Sequence, residues 1–239
     1  MSYAQALIKT PLNYTSMRSM SPALAELNPA GTCFSMCCLW VKELLRDANL
    51  SSAVLKEKMC LSIMTLALRH KRFITEVDAP GTSQAQRIAA WKRQLDVFGL
   101  TSASLTPGQG AGAARVPESR SVKDRASFLE AYLGFGFSGA AVGDMWGVLW
   151  KFLGMQPRPY ACVFNAYQGS DRNHGGHTIS AYIPAGGPLR IRVFDMNAGE
   201  FLIENADQWR IWSNGLDGSM EGDHKGLFNF VDVMDLRLK

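Results

Sequence analysis

The feature that most limits the fold is a change of period near Pro157 and Pro159. Before it, apolar residues recur at helical spacing; after it, they form strand-length runs separated by Gly, Asn and Pro turns. From Thr32 to Arg46 they fall at Phe34, Cys37, Cys38, Val41, Leu44 and Leu45. A second helical pattern follows Ser51-Ser52 through Val54, Leu55, Met59, Leu61, Ile63, Met64, Leu66 and Leu68. A third runs from about Ser83 to Phe98, where Gly99 stops it, and 122–134 and 138–153 also read as helical. The strand-like runs are Tyr160–Tyr167, His177–Ile183, Leu189–Asp195, Glu200–Ile203 and Leu227–Leu238, interrupted by one short helix near Ala206–Asn214. Helices followed by an antiparallel sheet predict an α+β fold.

A chain of 239 residues with 47% hydrophobic content can bury one sizeable core. The organisation expected is a weakly patterned, flexible segment over 1–27 and a single catalytic domain over 28–239. Within that domain a helical lobe covers about 28–155 and a sheet lobe about 156–239. The Ser/Gly/Ala/Pro-rich stretch from Thr101 to Ser121 reads as a surface loop. Its Gly108-Gln-Gly110-Ala-Gly112 spacing has no preceding strand and no following Lys-Ser/Thr, which argues against a phosphate-binding loop.

The net charge of +4 is spread over single Lys and Arg residues. The densest basic run, Arg69-His70-Lys71-Arg72, lacks regular aromatic interleaving and reads as a cationic helix C-terminus; no nucleic-acid partner is expected. No apolar run reaches the ~18–20 residues of a membrane span. Residues 1–27 show no secretory signal pattern, and Met1-Ser2 offers no myristoylation site. Five cysteines, three on one helix, do not form a disulfide framework, so a reducing environment is expected.

The chemistry centres on Asn28-Pro-Ala-Gly-Thr-Cys33-Phe. The Pro29-Ala30-Gly31 turn sets Cys33 at or beside the first helical position, where outward N–H groups and the positive end of the dipole favour thiolate. A nucleophilic Cys also needs a base, and His177 opens a strand-like run far downstream. Asp195 closes the next run and would hold the imidazole in its useful tautomer. The reversal Pro184-Ala-Gly186-Gly187-Pro188 joins the two runs. Centring the hairpin near 186–187 puts His177 and Asp195 opposite or nearly opposite, and opposed side chains share a face about 5 Å apart. A one-residue slip would put them on opposite faces. The Cys33 N–H and the Asn28 side-chain amide are candidate oxyanion donors.

These segments carry a resemblance. Gly31-Thr-Cys33-Phe leading into an amphipathic helix, Gly176-His177-Thr-Ile-Ser-Ala-Tyr182, and Val193-Phe194-Asp195-Met-Asn197-Ala-Gly199-Glu200-Phe201 together resemble the YopT/AvrPphB family. Its closing segment commonly reads Phe-Asp-Pro-Asn-Tyr-Gly-Glu-Phe; here Met196 replaces the Pro and Ala198 the Tyr. The resemblance covers 28–45 and 174–204. It implies a papain-like fold with the nucleophile helix packed on the sheet, Cys33 as nucleophile, His177 as base, Asp195 as third member and Asn28 as oxyanion donor. It also implies a thiol protease without cofactor or metal, an effector that a specialised bacterial secretion system delivers into a target cell's cytosol. A protein substrate there, and a delivery machinery or secretion chaperone, are the implied partners. Some relatives process themselves near the N-terminus; no cleavage motif is legible in 1–27.

Other readings compete. The same acyl-enzyme serves a deamidase, an amidohydrolase or an acyltransferase, and a non-catalytic binding module would keep the residues as a relic. A zinc site from Cys33, Cys37, Cys38, His174 and His177 lacks a usual ligand spacing. Cys37, Cys38, Cys60 and Cys162 read as small core residues. His174 reads as loop surface, His224 as exposed in a turn, and Trp209 with Trp212 as core. Glu200 competes with Asp195 to orient the imidazole, with hairpin geometry favouring Asp195.

Overall fold

A computed structural model describes residues 13–16, 33–77, 79, 81–102, 145–167, 176–196, 198–218 and 230–239. In chain order the elements are β1 (Asn13–Ser16), α1 (Cys33–Arg46), α2 (Ser52–Val77), α3 (Gln84–Val97), β2 (Leu100–Thr101), α4 (Met145–Met155), β3 (Tyr160–Tyr167), β4 (Gly176–Ile183), β5 (Ile191–Asp195), β6 (Gly199–Ile203), α5 (Ala206–Gly218), β7 (Phe230–Asp235) and β8 (Arg237–Leu238). The fold is α+β: a six-stranded antiparallel sheet ordered β1-β6-β5-β4-β3-β7, with β2 and β8 paired separately.

Each face of the sheet carries its own core. Alternation sends Ala161, Val163, Tyr182, Phe194 and Met234 toward α1, α2 and α3. It sends Cys162, Phe164, Ile179, Ala181, Val193 and Phe201 toward α4 and α5, where Trp209 and Trp212 are buried as expected. The strands read as nearly continuous apolar runs because both faces are covered. α4, which lies in the stretch read as a helical lobe, packs on the other face of the sheet from α1–α3, beside α5.

α1 is buried nearly all round, with Phe34 through Val41 and Leu44 all inaccessible. A helix apolar on every side belongs in the middle of a core. Toward α2 and α3, Phe34 stacks on Phe73 and meets Trp91 edge-on, with ring centroids 5.4 and 4.4 Å apart. Toward the sheet, Trp40 stacks on Phe194 at 5.7 Å. α3 begins at the Ser83/Gln86 capping box and ends before Gly99, whose φ of +67° suits a residue without Cβ.

Several expectations change here. Leu55, Met59 and Leu66 of α2 are buried, but Val54, Leu61, Met64 and Leu68 from the same apolar pattern are exposed. Cys60 is exposed rather than core. α2 continues to Val77, so Arg69–Arg72 is not its terminus, and His70 within that run is buried. Residues 13–16, inside the segment read as flexible, form the strand beside β6. The expectations for 103–144, including the helix at 122–134, lie outside the described residues.

Candidate active site

Cys33 is the first residue of α1 and is partly exposed. No acidic residue occupies the first turn of that helix, so nothing there offsets the positive end of its dipole. His177 is the second residue of β4 and Asp195 the last of β5; both are buried. Asn28, Asn197, His174 and His224 lie outside the described residues.

The hairpin register differs from the sequence estimate by a small but telling step. Asp195 pairs with Ile179, so His177 sits two residues beyond the last pair of the β4–β5 ladder. The step is even, and His177, Ile179 and Asp195 therefore remain on one face. From this diagonal position the His177 Nε2 lies 2.9 Å from Asp195 Oδ1. Glycines 186 and 187, both at φ +71°, make the reversal between the two strands.

With Nε2 engaged by Asp195, Nδ1 is the imidazole nitrogen left to face Cys33, and the two side chains are hydrogen bonded. Burial opposes charge on the imidazole, but the Asp195 carboxylate and then the Cys33 sulfur outweigh it and push His177 up to about 10. Burial likewise opposes the thiolate, and hydrogen bonding and charge from His177, with donors from Thr178, bring Cys33 below its ordinary value. The pair thus favours thiolate and imidazolium over thiol and imidazole.

Three buried cysteines behave oppositely. Burial raises Cys37 and Cys38 well above the ordinary thiol range, and burial with the nearby Asp235 charge raises Cys162. Cys37 donates to the Thr178 carbonyl at 3.4 Å, tying the next turn of α1 to β4. Among the described residues no group of three or more His, Cys, Asp or Glu is arranged to hold a metal ion.

Glu200 does not touch His177. It accepts the Trp40 indole N–H at 3.1 Å and the Arg192 Nε at 2.6 Å. Arg192 in turn donates to the Leu50 carbonyl at 2.9 Å, just past the end of α1. The helix carrying Cys33 is therefore tied to the sheet one turn in, through Cys37, and at its middle, through Trp40. Sequence reading missed Thr178 and this Trp40–Glu200–Arg192 anchor. Period-two alternation beside His177 was the available signal for Thr178; pairings as distant as Trp40 with Glu200 leave none.

No family model and no curated protein matches the chain. Among solved structures, the crystal structure of Pseudomonas avirulence protein AvrPphB is similar with a TM-score of 0.47 and 12% identity, over 88% of this chain and 94% of that one. What the site can do follows from its own groups. A partly exposed thiolate beside an imidazolium can attack a carbonyl carbon and supply a proton to the group that leaves.

Proposed function

We propose that the protein is a papain-like cysteine endopeptidase that works through an acyl-enzyme on Cys33. The Cys33 thiolate forms a C–S bond to the scissile carbonyl carbon, and the carbonyl oxygen becomes a transient oxyanion. The Cys33 N–H and the Asn28 amide are the donors assigned to that oxyanion. As the C–N bond breaks, His177 gives its proton to the leaving amine. Neutral His177 then takes a proton from water, which attacks the thioester and releases the acid and the thiol. Asp195 keeps Nδ1 directed at the sulfur and stabilises the charged ring.

The observation that carries this reading is the hydrogen-bonded series from Cys33 through His177 to buried Asp195. The likeness of the 31–34, 176–182 and 193–201 segments to YopT/AvrPphB proteases adds the biological setting: a bacterial effector, delivered into a target cell, cutting a protein there. No helix of the described residues is long and apolar enough to cross a membrane, in keeping with that setting. A polybasic substrate is not carried over, because the chain has a net charge of +4 and no acidic run.

The test is a comparison of new N-termini in target-cell lysate treated with wild-type protein or Cys33→Ala. Wild-type-only cleavage products are expected. Gln-to-Glu conversion or cross-links without cleavage would transfer the same chemistry to a deamidase or acyltransferase, and equal products from Cys33→Ala would end the proposal.

A further inference from the structure

α2 packs on α1 and α3 through Leu55, Met59, Leu66 and Phe73, all buried. Its other side is also apolar: Val54, Leu61, Met64 and Leu68 are 40, 82, 53 and 66% exposed. At 3.6 residues per turn these four fall within about 80° of one another, so they form one stripe along the helix. Single exposed apolar residues are ordinary, but a continuous stripe marks a surface that is covered by something.

The charges around the stripe select what covers it. Glu57 lies inside the same arc toward its N-terminal end, and Lys71 and Arg72 lie on either edge toward its C-terminal end; all three are exposed. Leu61 and Leu68 stand equally far from a point between Met64 and Thr65, as do Glu57 and Arg72, and Val54 and Thr75. The stripe is therefore its own complement when a second helix runs antiparallel to it. Arg72 meets Glu76 at 3.3 Å in an exposed pair, weak enough to be shared with another carboxylate.

We infer that the exposed face of α2 is a homodimer interface, on which two copies pack antiparallel about a two-fold axis between Met64 and Thr65. In such an isologous contact Leu61 of each copy meets Leu68 of the other, and each Glu57 lies level with Lys71 and Arg72 of the second copy. A second copy fits better than an anionic lipid surface. Glu57 would face acyl chains and like-charged headgroups there, whereas a second copy brings it two cations. One helix pair is a small interface, so the dimer is expected to be reversible, with a dissociation constant on the order of 10 µM. The pairing is independent of what Cys33 does.

The experiment is sedimentation of the full chain up to about 200 µM, roughly twentyfold above that constant. Wild-type protein is expected to dimerise, and Leu61→Asp and Leu68→Asp to stay monomeric. Glu57→Arg is expected to raise the dissociation constant at least about tenfold, and adding Lys71→Glu and Arg72→Glu to that variant to recover the wild-type value. Cross-linking by a short bismaleimide checks the axis in a Cys33→Ala, Cys60→Ser background. Met64→Cys is expected to link two copies, because its positions lie about 1.5 Å apart along the axis; Val54→Cys is not, at about 30 Å. A wild-type monomer throughout the range would overturn the inference. So would a dimer that Leu61→Asp and Leu68→Asp leave intact, or one that cross-links through Val54→Cys and not through Met64→Cys. Binding of phosphatidylserine vesicles by a chain that stays monomeric, lost in Leu61→Asp, would give the stripe to a lipid surface and overturn it equally.

Discussion

Asp195 pairs with Ile179 across the β4–β5 ladder rather than with His177, yet its Oδ1 is 2.9 Å from His177 Nε2. A diagonal neighbour on the same face lies farther away at Cβ than a directly opposed one, and a His ring spans that distance. The carboxylate thus reaches the far nitrogen of the ring and leaves the near one to the sulfur.

Asp195→Asn keeps the size of the side chain and removes its charge. His177 then loses the largest influence that raises it, and its pKa falls from about 10. The alkaline limit of activity is expected to move to lower pH, and kcat to drop on the order of 10³–10⁴-fold, the cost typical of spoiling a triad carboxylate. A pH–rate profile of the variant checks both, and an unmoved alkaline limb would remove Asp195 from the role.

The Cys33–His177 ion pair exists between two limits. Cys33 is depressed in the folded state, so its contribution to stability is present above the unfolded thiol value and is lost as pH falls through the folded value. His177 is raised, so its contribution is complete below about 6.5 and lost as pH rises through about 10. Activity is expected to be bell-shaped with those limbs. In His177→Ala, Cys33 alkylation should lose its low-pH plateau, as rates measured across the same range will show.

Breaking the far anchor should cost stability rather than alter ionisation. Glu200→Ala leaves the mostly buried Arg192 without its carboxylate and the Trp40 N–H without its acceptor. Removing one partner of a buried pair typically destabilises by about 3–5 kcal/mol. Urea unfolding of the variant measures it, and a loss below about 1 kcal/mol would deny the anchor its role.

His70 makes the fold acid-sensitive. Its Nδ1 lies 3.3 Å from Ser35 Oγ, Gln94 Nε2 donates to the same hydroxyl oxygen at 2.7 Å, and burial lowers the imidazole to about 4. The folded state holds it neutral where the unfolded chain would protonate it. Stability is therefore complete above about 6.5 and falls as pH drops toward 4, by on the order of 3 kcal/mol. His70→Gln is expected to flatten the dependence of melting temperature on pH over that interval, and an unchanged slope would assign the acid loss elsewhere.

Sequence by itself left the shared face of His177 and Asp195 to the register, but it determined the α+β order, the starts of α1, α2 and α3, the strands flanking the Pro184–Pro188 reversal, and the nearness of those two residues across it. These are local matters, read from apolar period, capping residues and the two-residue repeat of a strand, which an even register step leaves intact. Tertiary structure alone decided which side of α2 is covered, that α4 lies across the sheet from α1, that Cys60 faces outward, and that Trp40 meets Glu200. It also brought the Cys33 sulfur to Thr178 and His177. Such choices depend on how layers stack and on partners far apart in the chain, and a one-dimensional pattern carries apolarity without saying which neighbour will cover it.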